Sequence, residues 1–178
     1  RSSSSCRAVS SMSSRETSGL DRRSLILMPL ALAACGFKPA YGPGGVAEGL
    51  RGKVRANDPT DKDAFDFVDR IEQRLSRPRD ARYDLAYEIK TDPIGVGYTP
   101  DSTITRYNLT GSIDWTLTDH ATGQRVTGGR VENFTSYSAT GSTVAGLAAE
   151  EDARRRLMII LADDIVQRML ATAGAWMK

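Results

Sequence analysis

The sequence contains few of the side chains from which metal sites and disulfide frameworks are built. Its 178 residues include two cysteines, Cys6 and Cys35, and a single histidine, His120. The cysteines stand at none of the spacings typical of a zinc site or a disulfide framework. One histidine provides neither a His-pair metal site nor a mixed Cys–His cluster. The sequence therefore excludes a zinc enzyme and a small disulfide-stapled fold, and it predicts no cofactor.

A surplus of positive charge is also missing from most of the chain. The formal net charge of the whole sequence is +2. Residues 1–34 hold five basic and two acidic residues, which leaves 19 basic and 20 acidic in residues 35–178, a net charge of −1. Proteins that bind nucleic acid need clustered Lys and Arg to neutralise phosphates. We therefore exclude the class of basic nucleic-acid binders.

The sequence has no apolar run of the ~20 residues that a membrane-spanning helix needs. Its main run covers residues 24–34 and directly follows Arg22 and Arg23. A positive pair before about ten apolar residues is typical of a secretory signal peptide. Pro29 disfavours the alternative, a buried helix. The arginine pair leaves both the general secretory and the twin-arginine export route open.

The end of the apolar run resembles a bacterial lipobox, with Leu32, Ala33 and Ala34 before Cys35. In the proteins it resembles, the cysteine thiol receives diacylglycerol, the chain is cleaved before the cysteine, and the new amine is acylated. We therefore predict a covalent lipid on Cys35. Several acyl chains at one terminus anchor a protein stably to a membrane. Gly36, in place of Asp, favours outer-membrane sorting by the same resemblance.

Helical periodicity predicts two helices. The first opens at Thr60 with Asp63 as a capping pair, and Pro78 follows its end. Its apolar stripe comprises Ala64, Phe65, Val68, Ile71 and Leu75. The second runs from about Thr143 to Ala173, and its predicted core residues are Leu157 or Met158, Leu161, Ala162, Ile165 and Met169.

Alternation of apolar and polar residues predicts the strands. The clearest alternation covers residues 107–118, and a weaker one covers residues 83–90. A turn-rich segment, residues 92–102, separates them. After a hairpin loop at residues 119–123, a return strand is expected over residues 124–137, with a bulge or bend at Gly128 and Gly129. A short strand over residues 50–55 precedes the first helix.

These elements predict an α+β fold, with two helices packed on one face of a small, mostly antiparallel sheet of three to four strands. Residues 1–34 are interpreted as the leader and lipoprotein signal peptide, and residues 1–11 as an over-extended gene start before Met12. Residues 35–49, rich in Gly and Pro, form a lipidated linker. Residues 50–178 form a single periplasmic domain.

The sequence predicts no enzyme. His120 falls in the hairpin loop, where an exposed turn residue is expected. A general base would need a nucleophile and an orienting carboxylate, and the sequence has no Gly-x-Ser-x-Gly elbow.

Residues 35–42, with the sequence CGFKPAYG, resemble the start of the mature chain in alphaproteobacterial members of the lipopolysaccharide-assembly lipoprotein family LptE. The likeness continues at residues 119–123, 135–137 and 152–170. The resemblance implies two helices on a small sheet, an outer-membrane location facing the periplasm, and a role as a plug inside the barrel LptD. That role includes assisting barrel assembly and passing lipopolysaccharide outwards. A lipoprotein accessory of another envelope machine, such as a pilotin or a barrel-assembly factor, is the alternative.

Direct binding of lipopolysaccharide would require a local cationic site, because its lipid A part carries phosphates. The strand region supplies four candidates, and we rank Arg106 first because it stands at the start of the clearest strand. The others are Lys90, Arg125 and Arg130. The alternative is that each is an ordinary exposed strand residue.

Overall fold

The computed structural model describes residue 42, residues 44–139 and residues 141–177. They belong to one compact unit, Pro39–Lys178. The predicted signal peptide and lipobox, Cys35 included, lie outside the described residues. The elements are α1 (Val46–Leu50), β1 (Val54–Ala56), α2 (Lys62–Leu75), β2 (Tyr83–Tyr98), β3 (Ile104–Asp119), β4 (Arg125–Ser138) and α3 (Thr143–Trp176).

The four strands form one sheet in the order β1-β2-β3-β4, with β1 parallel to β2 and the other pairs antiparallel. The core lies between the helices and one face of this sheet. The buried set draws on α2, α3 and alternate residues of β3, among them Phe67, Leu109, Ile113, Leu117, Leu157, Leu161 and Ile165. This confirms the predicted α+β class. The domain has a proximal end, where β2 begins and α3 ends, and a distal end, where β2 ends and α3 begins.

The beginning of the domain differs from the prediction. Residues 46–50, expected in the linker and the first strand, form the short helix α1, whose Ala47 and Leu50 are buried. The first strand is only Val54–Ala56. Leu50 is buried, so α1 packs against the core, whereas a linker would make no such contact.

Helix α2 begins one residue later than predicted. Asp61, not Thr60, is the N-cap, and its carboxylate accepts a hydrogen bond from the Ala64 N–H at 2.8 Å. The buried aromatic residue of this helix is Phe67, while the predicted core residue Phe65 is 60% exposed. Ala64, Phe67, Ile71 and Leu75 share one face at helical spacing, and Phe65 lies to its side.

Strand β2 is twice as long as predicted, because residues 92–98 of the expected turn continue it. Pro93 is tolerated because it is one of the alternate residues of β2 whose backbone N–H and C=O groups point away from β3. Tyr83 and Leu85 of that set hydrogen-bond to the segment Lys53–Asn57. The missing N–H of Pro93 thus points to the free edge of β2, where it costs no bond to β3. The turn is confined to residues 99–103.

Strand β4 is regular at Gly128 and Gly129, so the bulge predicted there is wrong. The register shift lies at Leu117 and Thr118, opposite residues 125–127. A glycine is needed at position 128 for a different reason, because the backbone of β3 lies very close to it. A Cβ at Gly128 would lie 2.7 Å from the Trp115 carbonyl oxygen.

Candidate functional site

The four cations predicted to contact lipopolysaccharide share the outer face of the sheet, which no helix of the described residues covers. Between neighbouring strands, Lys90 is paired with Ser112, Arg130 with Asp114, and Arg106 with Ser138. All six are polar residues of the alternating pattern. Arg125 lies opposite Thr118 on the same face. The strand period alone brings them to one surface.

Two of these four cations are already balanced by acids. Arg130 donates from Nε to Glu132 at 2.6 Å and from Nη1 to Asp114 at 3.3 Å. Lys90 Nζ lies 3.0 Å from a Glu88 carboxylate oxygen. A phosphate at either position would compete with carboxylates in place, which weakens both as anion contacts.

Arg106 and Arg125 have no carboxylate partner within the described part of the chain. They do not form one cluster, because Arg106 lies at the distal end of the face and Arg125 at the proximal end. The Arg125 guanidinium extends over Gly128, where a Cβ would lie 2.6 Å from Nη2. Each is therefore a separate cationic position.

The distal end exposes five apolar side chains on two elements, and the sequence did not predict their exposure. We call them together the distal apolar surface: Ile94, Val96 and Tyr98 at the end of β2, and Val144 and Leu147 at the start of α3. Tyr98 is 62% and Val144 is 76% exposed. The alternation of Ile94, Val96 and Tyr98 is visible in the sequence, but Pro93 and two glycines nearby favoured a turn.

Arg154 of α3 connects three elements. Its guanidinium lies 3.1 Å from Asp63 of α2 and 3.0 Å from Glu150 of its own helix. It also donates to the Thr91 hydroxyl of β2 at 3.2 Å. Burial acts to lower the pKa of Arg154, but Glu150 and Asp63 outweigh it and raise that pKa above its ordinary value. The group is structural.

His120 lies in the hairpin turn, as predicted, and contacts Asp84. Its Nδ1 is 2.6 Å from Asp84 Oδ2, and Arg55 binds the other carboxylate oxygen at 2.8 Å. The His120 hydrogen bond, followed by that of Arg55, lowers the pKa of Asp84 below its ordinary 3.8. Asp84 therefore links β1, β2 and the hairpin turn.

Within residues 44–139 and 141–177, no three His, Cys, Asp or Glu side chains are grouped so that they could hold a metal ion. In the same ranges, no helix is both long and apolar enough to cross a membrane.

Among the solved structures that share this fold are three lipoproteins. A putative lipoprotein from Caulobacter crescentus superposes with a TM-score of 0.64 at 20% identity, over 75% of this chain and 99% of that one. The rare lipoprotein B from Shewanella oneidensis gives 0.53 at 16%, over 67% and 93%. A minor lipoprotein from Acinetobacter baumannii gives 0.51 at 15%, over 67% and 90%.

A comparison with curated protein sequences gives no match. The sequence model of the family described as LptE, lipopolysaccharide-assembly, matches residues 52–169. That range runs from the turn before β1 to the last buried turns of α3, so it spans the sheet and both long helices. Because this match covers well over half of the chain, the protein belongs to the LptE family of lipopolysaccharide-assembly proteins.

Proposed function

We propose that the protein is a lipid-anchored, non-enzymatic subunit of the lipopolysaccharide translocon in the outer membrane. In this role it sits inside the LptD barrel, assists barrel assembly and helps to pass lipopolysaccharide outwards. The observation that carries the proposal is the family match over residues 52–169. The predicted acylation of Cys35 supplies the anchor.

The distal apolar surface supports a contact with another protein. Soluble monomers rarely expose several large apolar side chains together, and such groups mark interaction sites. Leu147 is 64% exposed on the first turns of α3, at the same end of the domain as the β2–β3 hairpin. We assign this end to the barrel wall.

The outer face of the sheet is the proposed lipopolysaccharide contact. Arg106 and Arg125 are the principal candidates, since no carboxylate among the described residues pairs with their guanidinium groups. Arg130 and Lys90 contribute less because acids already engage them. Guanidinium groups bind phosphates through paired hydrogen bonds, which suits lipid A.

Purification of the tagged full-length protein from its native membranes tests the proposal. We expect a large β-barrel, identified as LptD by mass spectrometry, to co-purify at near-equal amounts. Leu147→Glu should reduce its recovery because a charge would be buried at the contact. Phe65→Glu is the matched control, since Phe65 is equally exposed but lies on α2.

Recovery of a different partner would contradict the proposal. A secretin or a barrel-assembly protein in place of LptD would favour the alternative, a lipoprotein accessory of another envelope machine. Equal losses with Leu147→Glu and Phe65→Glu would remove the distal apolar surface from the contact.

A further inference from the structure

Strand β4 comes last in the strand order, so one of its sides is an edge of the described sheet. Its odd-numbered residues bond to β3, in line with the Ala139 N–H, which donates to the Thr105 carbonyl at 2.9 Å. Because backbone groups alternate in direction along a strand, the N–H and C=O groups of the even-numbered residues point to the edge. Such groups form a template on which another strand can add.

Side chains cap several of these edge groups. Arg168 of α3 donates from Nη1 to the Arg130 carbonyl at 2.8 Å. Arg156, earlier on the same helix, donates from Nη2 to the Ser136 carbonyl at 3.4 Å. Between these two carbonyls, the Phe134 N–H donates to the side-chain oxygen of the preceding residue at 2.9 Å. The helix that covers the inner face thus also closes the edge of the sheet.

Helix α3 is held along β4 by two further contacts. The buried Thr135 hydroxyl donates to the Ala153 carbonyl at 3.0 Å. The side-chain amide of Asn133 donates to the Asp164 carboxylate at 3.2 Å. The two arginines therefore reach the edge from a helix whose position relative to β4 is fixed by the core and by these bonds.

The opposite edge of the sheet is protected by other means. Strand β1 pairs with the beginning of β2, and Pro93 removes one donor from the remainder. The register of β2 also shifts between Gly95 and Tyr98, which disrupts a regular edge there. Strand β4 contains no proline, and its pairing with β3 is regular over residues 127–138. Protection of the β4 edge therefore depends on the arginine caps.

Without its caps, the β4 edge is complementary in charge to a second copy of itself. In an antiparallel pair with residue 131 on the two-fold axis, residue 130 of one copy lies opposite residue 132 of the other. Arg130 then faces Glu132 of the second copy, and opposite charges at facing positions stabilise a strand pair. Within one copy the same two side chains already form an ion pair at 2.6 Å. The pairing between copies would use chemistry that is in place.

The same register also matches the shapes of the two edges. Phe134, which is 58% exposed on the outer face, lies opposite Gly128 of the second copy. An aromatic ring across from a strand glycine is a favourable pair, because the ring covers the backbone that glycine leaves bare. The Arg125 guanidinium, which extends over Gly128, could stack on that ring.

We propose that Arg156 and Arg168 keep the protein monomeric by closing the edge of β4 against the β4 strand of a second copy. An added strand would have to displace both guanidinium groups before its own N–H groups could bond to the Arg130 and Ser136 carbonyls. A plug of a single barrel needs to be a monomer, but this inference rests on the edge alone and not on the proposed function.

The test measures the protein mass of full-length variants, overexpressed and purified in detergent, by light scattering over a concentration series. We expect the wild type to remain a monomer. Arg156→Ala combined with Arg168→Ala should double the mass as the concentration rises, because alanine leaves both carbonyls uncapped and keeps the helix. Arg156→Gln combined with Arg168→Gln, which keeps a polar helix surface, should do the same. The matched control, Arg77→Ala combined with Arg155→Ala, removes the same charge from exposed positions and should stay monomeric.

Two further substitutions test the register in the variant with alanine at 156 and 168. Glu132→Arg places an arginine opposite Arg130 of the second copy, so the protein should return to a monomer. Adding Arg130→Glu re-forms the charge pair in reverse and should bring back the doubled mass. Far-ultraviolet circular dichroism and chemical denaturation establish that each variant keeps the fold.

Three results would overturn the proposal. The first is a doubled mass of the wild type, and the second is a monomer in both the alanine and the glutamine variants. The third is a dimer that persists with Glu132→Arg, since that contact would lie outside the β4 edge.

Discussion

Gly111 of β3 lies directly beneath Leu157 of α3, so close that a Cβ at residue 111 would be 2.8 Å from Leu157 Cδ2. It would also lie 3.1 Å from Leu161 Cδ1. Both leucines are fully buried. A glycine in the middle of the clearest strand is thus the position at which the long helix approaches the sheet.

Gly111→Ala should destabilise the domain by about 1–3 kcal/mol, because the added methyl overpacks a filled core. Chemical denaturation of the purified protein measures this. Gly146→Ala is the control, since a Cβ at Gly146 meets nothing within 4 Å in α3. It should be neutral or stabilising by up to ~1 kcal/mol, as glycine is a poor helix former. Equal effects of the two substitutions would contradict this account of Gly111.

Arg154→Ala should cost about 1–3 kcal/mol of unfolding free energy, because it leaves Asp63, only 20% exposed, without its cation. Arg77→Ala removes an equally short ion pair, to Glu72, from a side chain that is 85% exposed. That change should stay within ~0.5 kcal/mol. Denaturation of both variants under one condition gives the comparison, and a larger loss for Arg77→Ala would refute the bridging role of Arg154.

His120→Ala should raise the pKa of Asp84 towards its ordinary 3.8, because the His120 hydrogen bond is the largest cause that lowers it. A carboxyl whose pKa is lowered by folding stabilises the fold above the unfolded pKa. That contribution is lost as the pH falls through the folded pKa. The wild type should thus exceed His120→Ala in stability above about pH 4, and the gap should close in stronger acid.

The Asp84 titration can be read directly by carboxyl-selective NMR. Arg55→Met should move the midpoint in the same direction as His120→Ala, since Arg55 also lowers the pKa of Asp84. An unchanged midpoint in His120→Ala would show that the hydrogen bond does not govern this group.

Arg106→Glu combined with Arg125→Glu should weaken lipopolysaccharide binding by at least about tenfold, the usual effect of losing a charged hydrogen bond. Binding of labelled lipopolysaccharide to the full-length protein measures the change. The matched control is Arg155→Glu, on α3 and away from the outer face of the sheet. Undiminished binding with the fold intact would remove the outer face as the contact.

Cys35→Ala should abolish acylation and leave a precursor that retains residues before position 35, since the signal peptidase acts on the lipid-modified cysteine in the proteins this segment resembles. Intact-mass analysis of the membrane fraction tests this. An unmodified cysteine at the start of the mature wild-type chain would contradict the prediction.

The sequence by itself determined the elements whose periodicity is long and clear. The two-residue alternation of β3 required one buried face, and Ile113, Trp115 and Leu117 are buried as it predicted. The stripe of α3 specified its core residues equally well, with Leu161 and Ile165 fully buried. Such patterns are local, because burial of one face fixes the side-chain period.

The features that depend on a neighbour in space were decided only by the tertiary structure. Pro93 reads as a strand breaker until the pairing of β2 places its missing N–H on the free edge. Whether an arginine such as Arg106, Arg130 or Arg154 forms an ion pair depends on the carboxylates that other strands and helices place near it. Charge and hydrogen-bond partners are set by distances across the fold, and a one-dimensional sequence does not contain those distances.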